Sequence, residues 1–455
     1  MAVFLQRDVV LHVTANDDAG SATSTVYKIP IQEGFSFSQA TNASEVTLSE
    51  MESTAGASRR GRRMFNDSLA PAEWSFTTYI RPFKSNGSGT KNHGAAKMHA
   101  VEEVLWNALL AQGDLSDAAD CARTTHATNS VVFDSTRSNK AALNTLTLEF
   151  QFATGFVYKL NKAVVNTANI SFDVDGIAQV EWSGFAETIE ESASTITGAT
   201  ATASNDTITS SGHGLANGTL VSLSGFSGTG VTEGEYFVIS TATNTFQIAN
   251  TSGGSAVNIT ADATGGIITT GGNLTASTIE EGQRTSDTAN YLRNRLTQLV
   301  LDGDNSVNHA SAKKSYSLTL TGGNISIDNG ITYLTPNTLG EVNSPLEHVT
   351  GPRNISGSFT CYLASGKDTS QDFWQDMSGT GQRAITTNQF DITFKIGGTS
   401  SPYTFIQLPK AHVEIPTHSI DDVISLETTF NALPTDLDSA DDVTITMVGP
   451  VAAAS

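Results

Sequence analysis

The segment Phe76-Thr77-Thr78-Tyr79-Ile80 returns near the far end of the chain as Phe359-Thr360-Cys361-Tyr362-Leu363. After each copy comes a helix-like stretch carrying a tryptophan, Val104-Leu105-Trp106 in the first and Asp372-Phe373-Trp374 in the second. Leu160-Asn161-Lys162-Ala163 is then matched by Leu408-Pro409-Lys410-Ala411, and Ile177-Ala178-Gln179-Val180-Glu181 by Val423-Ile424-Ser425-Leu426-Glu427. Any one match could be chance. Four in the same order, with a helix in the same slot, indicate a tandem duplication, and such a repeat outranks any local pattern in deciding the architecture. The expected layout is a first domain over 1–191, an inserted module over 192–272 and a second, homologous domain over 273–455.

Within the first copy, Val26 to Ile31, Gly34 to Ser38, Trp74 to Ile80, Leu146 to Phe152 and Ile170 to Trp182 alternate apolar and polar residues. A period of two marks a half-buried strand, and Asp175-Gly176 supplies a hairpin turn inside the last run. One helix is predicted, about Ala95 to Gln112, because Val101, Val104, Leu105, Ala108 and Leu109 fall on one face at spacings of three and four. Gly113 is its natural stop. From Ser192 to about Gly272 the composition turns to Ser, Thr, Gly, Ala and Asn, with islands Leu220 to Leu223, Tyr236 to Ile239 and Thr245 to Ile248. The islands alternate between Gly and Asn turns, which predicts a small β module rather than a disordered tract. The whole chain is expected to be mainly β.

Charge and cysteine content narrow the function. The 455 residues carry 46 acidic and 25 basic side chains, a formal charge of −21. This excess argues against tight nucleic-acid binding, which needs Lys and Arg to neutralise phosphates. Cys121 and Cys361 are too few and too far apart for a disulfide framework or a metal motif, which points to synthesis in a reducing compartment. No apolar run approaches the length of a membrane span, and the first residues lack the apolar core of a signal peptide.

A search for chemistry finds no constellation. His93 and His99 near the predicted helix start, and His412 and His418 around a strand, lack zinc-motif spacing and are expected to be solvated or capping. Ser85 to Lys91 lacks the order of a phosphate loop, and Gly225-Phe226-Ser227-Gly228-Thr229 lacks the final glycine of a nucleophile elbow. No cofactor, metal or enzymatic activity is expected. Charge clustering says more. Arg59, Arg60, Arg62 and Arg63 form the only dense basic group, inside a long connection between Leu48 and Trp74 with no predicted structure of its own. Such a connection is usually functional, and docking onto an acidic surface of another copy is the favoured role. Ser171, Asp173 and Asp175 share one strand face opposite Ile170, Phe172 and Val174, either as an ordinary solvent face or as an acidic wall.

The residues also carry a family resemblance. Tyr316 to Asp328, Tyr333 to Gly340, Gly351 to Cys361 and Ala411 to Val423 resemble the major tail tube proteins of long-tailed bacteriophages, and Asn169 to Gly184 resembles the corresponding strand pair of the first domain. His213 to Gly218 and Asn244 to Ala249 are similar to a small β module that recurs in phage structural proteins. The resemblance implies two tail-tube-type β-sandwich or barrel domains, each with one flanking helix, plus the inserted module. It implies trimeric, pseudo-hexameric rings that stack into a hollow conduit for genome delivery in the virion. Loops spanning 50–71 and 334–352 would reach the adjacent ring, although the second lacks the arginine cluster.

Passage would then be electrostatic and geometric, since a lumen of the same sign as DNA leaves few contacts to trap it. Asp173, Asp175, Glu181, Glu414, Asp421 and Glu427 are the lumen candidates, with the module placed outside the bore. The implied partners are further copies of the chain, tape measure protein, and sheath, baseplate or terminator proteins, with no membrane. A surface adhesin or glycan-binding β protein is the alternative.

Overall fold

A computed structural model describes residues 5–16, 22–46, 63–84, 97–110, 127–135, 143–152, 156–228, 230–271, 290–303, 314–335, 344–378, 389–420, 422–436, 439 and 441–450. The chain is mainly β, with helices at Glu103–Leu110 (α1) and Ser370–Ser378 (α2). Contacts divide it into two compact units. One comprises 1–12, 148–160 and 189–276, and the other comprises 13–147, 161–188 and 277–455.

The first unit holds a closed barrel of Ala193–Thr202, Thr207–Thr209, Thr245–Ala249, Gly234–Ile239, Leu220–Ser224 and Ala263–Gly271. The three islands expected from alternation are strands of this barrel. Val221, Leu223, Val238, Phe246, Ile248 and Ile268 point inward and form its core. Closure leaves no open edge, which lets a module so poor in large apolar residues satisfy its backbone internally. Ala193 is paired with Gly271, so the two ends of the module meet.

The second unit is built on one run of antiparallel strands. Its members are β1 (Ser36–Ser38), β2 (Ala72–Tyr79), β3 (Phe156–Asp173, of which 161–173 belongs to this unit), β4 (Gln179–Ala186), β5 (Leu320–Asp328), β6 (Asn354–Tyr362), β7 (Thr417–Ile420) and β8 (Ile424–Ala432). Neighbours follow the order β1, β2, β4, β3, β5, β6, β8, β7. The β3–β5 pair joins the two halves of the chain, with Ile170 opposite Ile325.

One face of this run is apolar and buried. Trp74, Phe76, Trp182, Ile170, Phe172, Ile325, Ile355, Phe359 and Phe430 line it. α1 packs Trp106 edge-on against Trp182 at 4.7 Å, and Trp182 Nε1 donates to Thr78 Oγ1 at 2.8 Å. α2 packs Phe373 against Tyr316 at 5.4 Å and against Phe390 at 5.8 Å. Both helices thus cover core aromatics of the sheet-bearing unit.

The strand registers of the two halves correspond. Glu181 lies opposite Thr77, as Glu427 lies opposite Thr360. Three residues along, an aromatic ring lies over a glycine on the neighbouring strand in both halves, with the roles exchanged. Trp74 faces Gly184, where an added Cβ would come within 2.7 Å of the indole, and Phe430 faces Gly357, where it would come within 2.6 Å of the ring.

Several expectations change. The helix is shorter than Ala95 to Gln112, because Met98–Ala100 is a strand paired with Pro82–Lys84. Backbone pairing competes successfully with the apolar spacing that extended the helical pattern. His99 is fully buried rather than solvated, and its Nδ1 lies 3.0 Å from Glu103 Oε2. Beside it, Glu102 is also fully buried and accepts from Trp106 Nε1 at 3.3 Å, and burial pushes its carboxyl up to about 7. The long connection before Trp74 contains a strand, Arg63–Leu69, paired with Thr41–Val46. In the second half Thr332–Leu334 and Glu347–Val349 pair in the same manner.

Candidate functional site

The other face of the run is mainly polar, with Tyr79, Phe185 and Tyr362 as its aromatic members. Alternation puts Ser36 and Ser38 of β1 on it, then Glu73, Ser75 and Thr77 of β2, and Gln179, Glu181 and Ser183 of β4. Thr167, Asn169, Ser171 and Asp173 of β3 follow, with Asn324, Ser326 and Asp328 of β5. Asn354, Ser356, Ser358 and Thr360 of β6 then lead to Glu427, Thr429 and Asn431 of β8 and to Thr417 and Ser419 of β7. Direct opposition in an antiparallel pair places side chains on the same side, so the registers carry this face continuously across the β3–β5 seam.

Hydroxyls and amides on this face hold one another. Ser36 and Ser75 are 2.9 Å apart, and Thr167 bonds Ser183. Ser326 donates to Asn169 Oδ1 at 2.7 Å and Ser358 Oγ to Asn324 Oδ1 at 2.6 Å. The two halves are therefore bonded to each other on the polar face as well as packed on the apolar one.

Glu73, Asp173, Glu181, Asp328 and Glu427 are the charged residues on these positions, and none of the positions named carries Lys or Arg. The face is a mostly neutral hydrogen-bonding surface with a uniformly negative charge pattern. Three of the six residues expected in an acidic wall, Asp173, Glu181 and Glu427, fall on it. Asp175 lies beyond the end of β3 and is ion-paired with Arg295 at 2.9 Å. Glu414 lies in the connection before β7, 3.6 Å from His412 Nε2. Asp421 is outside the described residues, as are Arg59, Arg60 and Arg62, while Arg63 begins a strand opposite Val46. Val174, expected on the strand face opposite Asp173, is about half exposed and lies just past the end of β3.

Sequence reasoning missed Glu73 and Asp328. Each stands on an alternating strand, so parity was the available signal. A shallow concavity of about 320 Å³ lies on the polar face itself, lined by Ser36, Ser38, Glu73, Ser75 and Ser183, and a smaller cavity of about 80 Å³ is lined by Arg81, Glu102, Tyr79 and Tyr291. Arg81 stacks 4.5 Å over the Tyr291 ring there. Ligand pockets usually run from about 300 Å³ upward, so this space suits a few waters rather than a substrate.

No family model matches the chain. It is 24% identical over 447 residues to tail tube protein pb6 of Escherichia phage T5, an alignment that spans 97% of this chain and 75% of the relative. So extended a match bears out the resemblance read from the sequence.

Proposed function

From the premise that this chain is a tail tube protein of the long-tailed phage kind, a structural component of the virion tail, we propose that it encloses a bore with its polar sheet face and delivers the genome through it. The observation that carries this reading is the sheet face whose named positions hold five carboxylates and neither Lys nor Arg. Duplex DNA meeting such a wall is repelled at close range and finds at the named positions no Lys or Arg to neutralise its phosphates. Neutral Ser, Thr and Asn between the carboxylates keep the wall wetted without adding fixed attraction. Asp173, Glu181 and Glu427 are the lumenal charges, joined by Glu73 and Asp328.

The chain is read as two homologous tube domains around an inserted barrel. The shared Glu181–Thr77 and Glu427–Thr360 registers and the exchanged aromatic-glycine pairs support this division. Three chains would then supply six equivalent domains to each ring. The paired ribbons that precede β2 and β6 would reach the neighbouring ring, with Arg59, Arg60, Arg62 and Arg63 docking at the end of the first. The module would sit outside the bore, because a closed barrel within it would block the duplex.

Negative-stain microscopy of the purified protein tests the reading. Hollow tubes or stacked rings are expected. Protein that stays monomeric at every concentration and binds sugar would instead favour a glycan-binding role.

A further inference from the structure

The cavity beside Glu102 is closed by both halves of the chain. Its described lining comes from 29–32, 78–81 and 101–102 in the first half, and from Tyr291 in the second. Tyr291 belongs to a strap, 290–297, that lies across the turn between β3 and β4. Ala178 N donates to Leu292 O at 2.9 Å, Asn294 N donates to Gly176 O at 3.1 Å, and Arg295 pairs with Asp175. The Tyr291 ring meets Tyr79 edge-on at 5.3 Å and carries the Arg81 guanidinium on its face.

Glu102 lines the same cavity and has no exposed surface. The donors to its carboxyl are distant, Trp106 Nε1 at 3.3 Å and Arg81 N at 3.4 Å. Arg81 is the charged group acting on it, Tyr79 and Tyr291 share the cavity with it, and on its own segment His99 and Glu103 contact each other. A buried carboxylate needs shorter and more numerous donors than these. Water entering the cavity would supply them, and Tyr291 is the wall that a separate segment contributes. We propose that Tyr291 is a proton-controlled lid: it stays seated while Glu102 is protonated, and ionisation of Glu102 draws in water, lifts Tyr291 and frees the strap from the β3–β4 turn.

A second observation marks the strap as poised to leave. Both polar atoms of the Asn290 amide, Asn294 Oδ1 and Thr297 Oγ1 are buried without a hydrogen-bond partner among the described residues, and Asn290 is only 1% exposed. Buried groups left unpaired favour any conformation that hydrates them. Burial holds the Glu102 carboxyl up at about 7 while the lid is shut, and hydration returns it toward its ordinary 4.5. Opening therefore grows as pH rises between those values and levels off above them.

The lid goes beyond the tube reading and does not depend on it. Hydrogen exchange of the full chain, followed by mass spectrometry and corrected for the intrinsic rate, tests it. Between pH 5 and 8 the protection of peptides covering 176–180 and 290–297 is expected to fall of the order of 50-fold, while peptides covering Ile325 and Ile355 keep theirs. Glu102→Gln is expected to hold strap protection at its pH 5 level throughout. Tyr291→Ala, which removes the lid and leaves Glu102 in place, is expected to let the strap exchange as fast at pH 5 as at pH 8. Strap protection that is constant with pH in the parent protein, that falls equally in Glu102→Gln, or that survives at pH 5 in Tyr291→Ala would overturn the lid. A fall shared equally by the Ile325 and Ile355 peptides would also overturn it, leaving Glu102 a role in overall stability alone.

Discussion

Ile170 lies directly opposite Ile325, and neither has any exposed surface. One comes from the first half of the chain and the other from the second, so their contact is where the two halves share a core. Truncating a buried isoleucine to alanine costs about 2–5 kcal/mol, from lost transfer energy and the cavity left behind. Ile325→Ala is expected to fall in that range by urea denaturation. Ser326→Ala, one residue along on the polar face, is expected to cost less than about 1 kcal/mol, chiefly its bond to Asn169.

Glu102 gives the stability a pH dependence. Its carboxyl is raised from 4.5 to about 7, mainly by burial, so the folded state keeps a proton that the unfolded state releases. Stability at this site is full below about pH 4.5, falls as pH rises toward 7, and levels off above it. A shift of that size corresponds to about 3 kcal/mol at most. Glu102→Gln is expected to flatten the fall in thermal midpoint between pH 5 and 7.5. A profile identical to that of the parent protein would contradict the assignment.

The sign of the wall can be reversed. Asp173→Lys, Glu181→Lys and Glu427→Lys together leave the apolar face untouched and are expected to preserve the fold. Assembled particles of this variant should retain duplex DNA in filter-binding assays, with affinity dropping steeply between about 50 and 200 mM salt as released counterions are repaid. The parent protein should retain little at any salt concentration.

Ring stacking and ring closure are expected to separate. Replacing Arg59, Arg60, Arg62 and Arg63 with serine should shorten tubes while single rings persist in negative stain. Unchanged tube length would remove the basic cluster from inter-ring docking.

The barrel should stand alone. Its core is its own, and its ends meet at the Ala193–Gly271 pair. A fragment spanning 193–271 is expected to unfold cooperatively on heating, as followed by circular dichroism. Ile268→Ala in that fragment should cost about 2–5 kcal/mol.

Legibility in the sequence followed the range of the interaction. The strand at Leu146–Phe152, the hairpin around Asp175-Gly176 and the three barrel islands were readable, because alternation and turn chemistry involve residues a few positions apart. The helix was overextended because its first turn competes with a strand partner at Pro82–Lys84 that no helical periodicity encodes. His99 was misplaced for a related reason. A histidine near a helix start looks solvated until the strand and helix that bury it are folded together. The exchange of aromatic and glycine between Trp74–Gly184 and Gly357–Phe430 also hid part of the repeat, since position by position the residues differ while the contact is the same.

From the sequence alone came the β character, the recurrence of segments and the negative charge, since each is a property of composition or of neighbours along the chain. Tertiary structure alone decided which carboxylates share a face, that Asp175 turns to Arg295 instead, and that the halves fuse through Ile170 and Ile325. Those outcomes depend on strand partners and registers between residues far apart in sequence, where one slipped position would send every side chain to the opposite face.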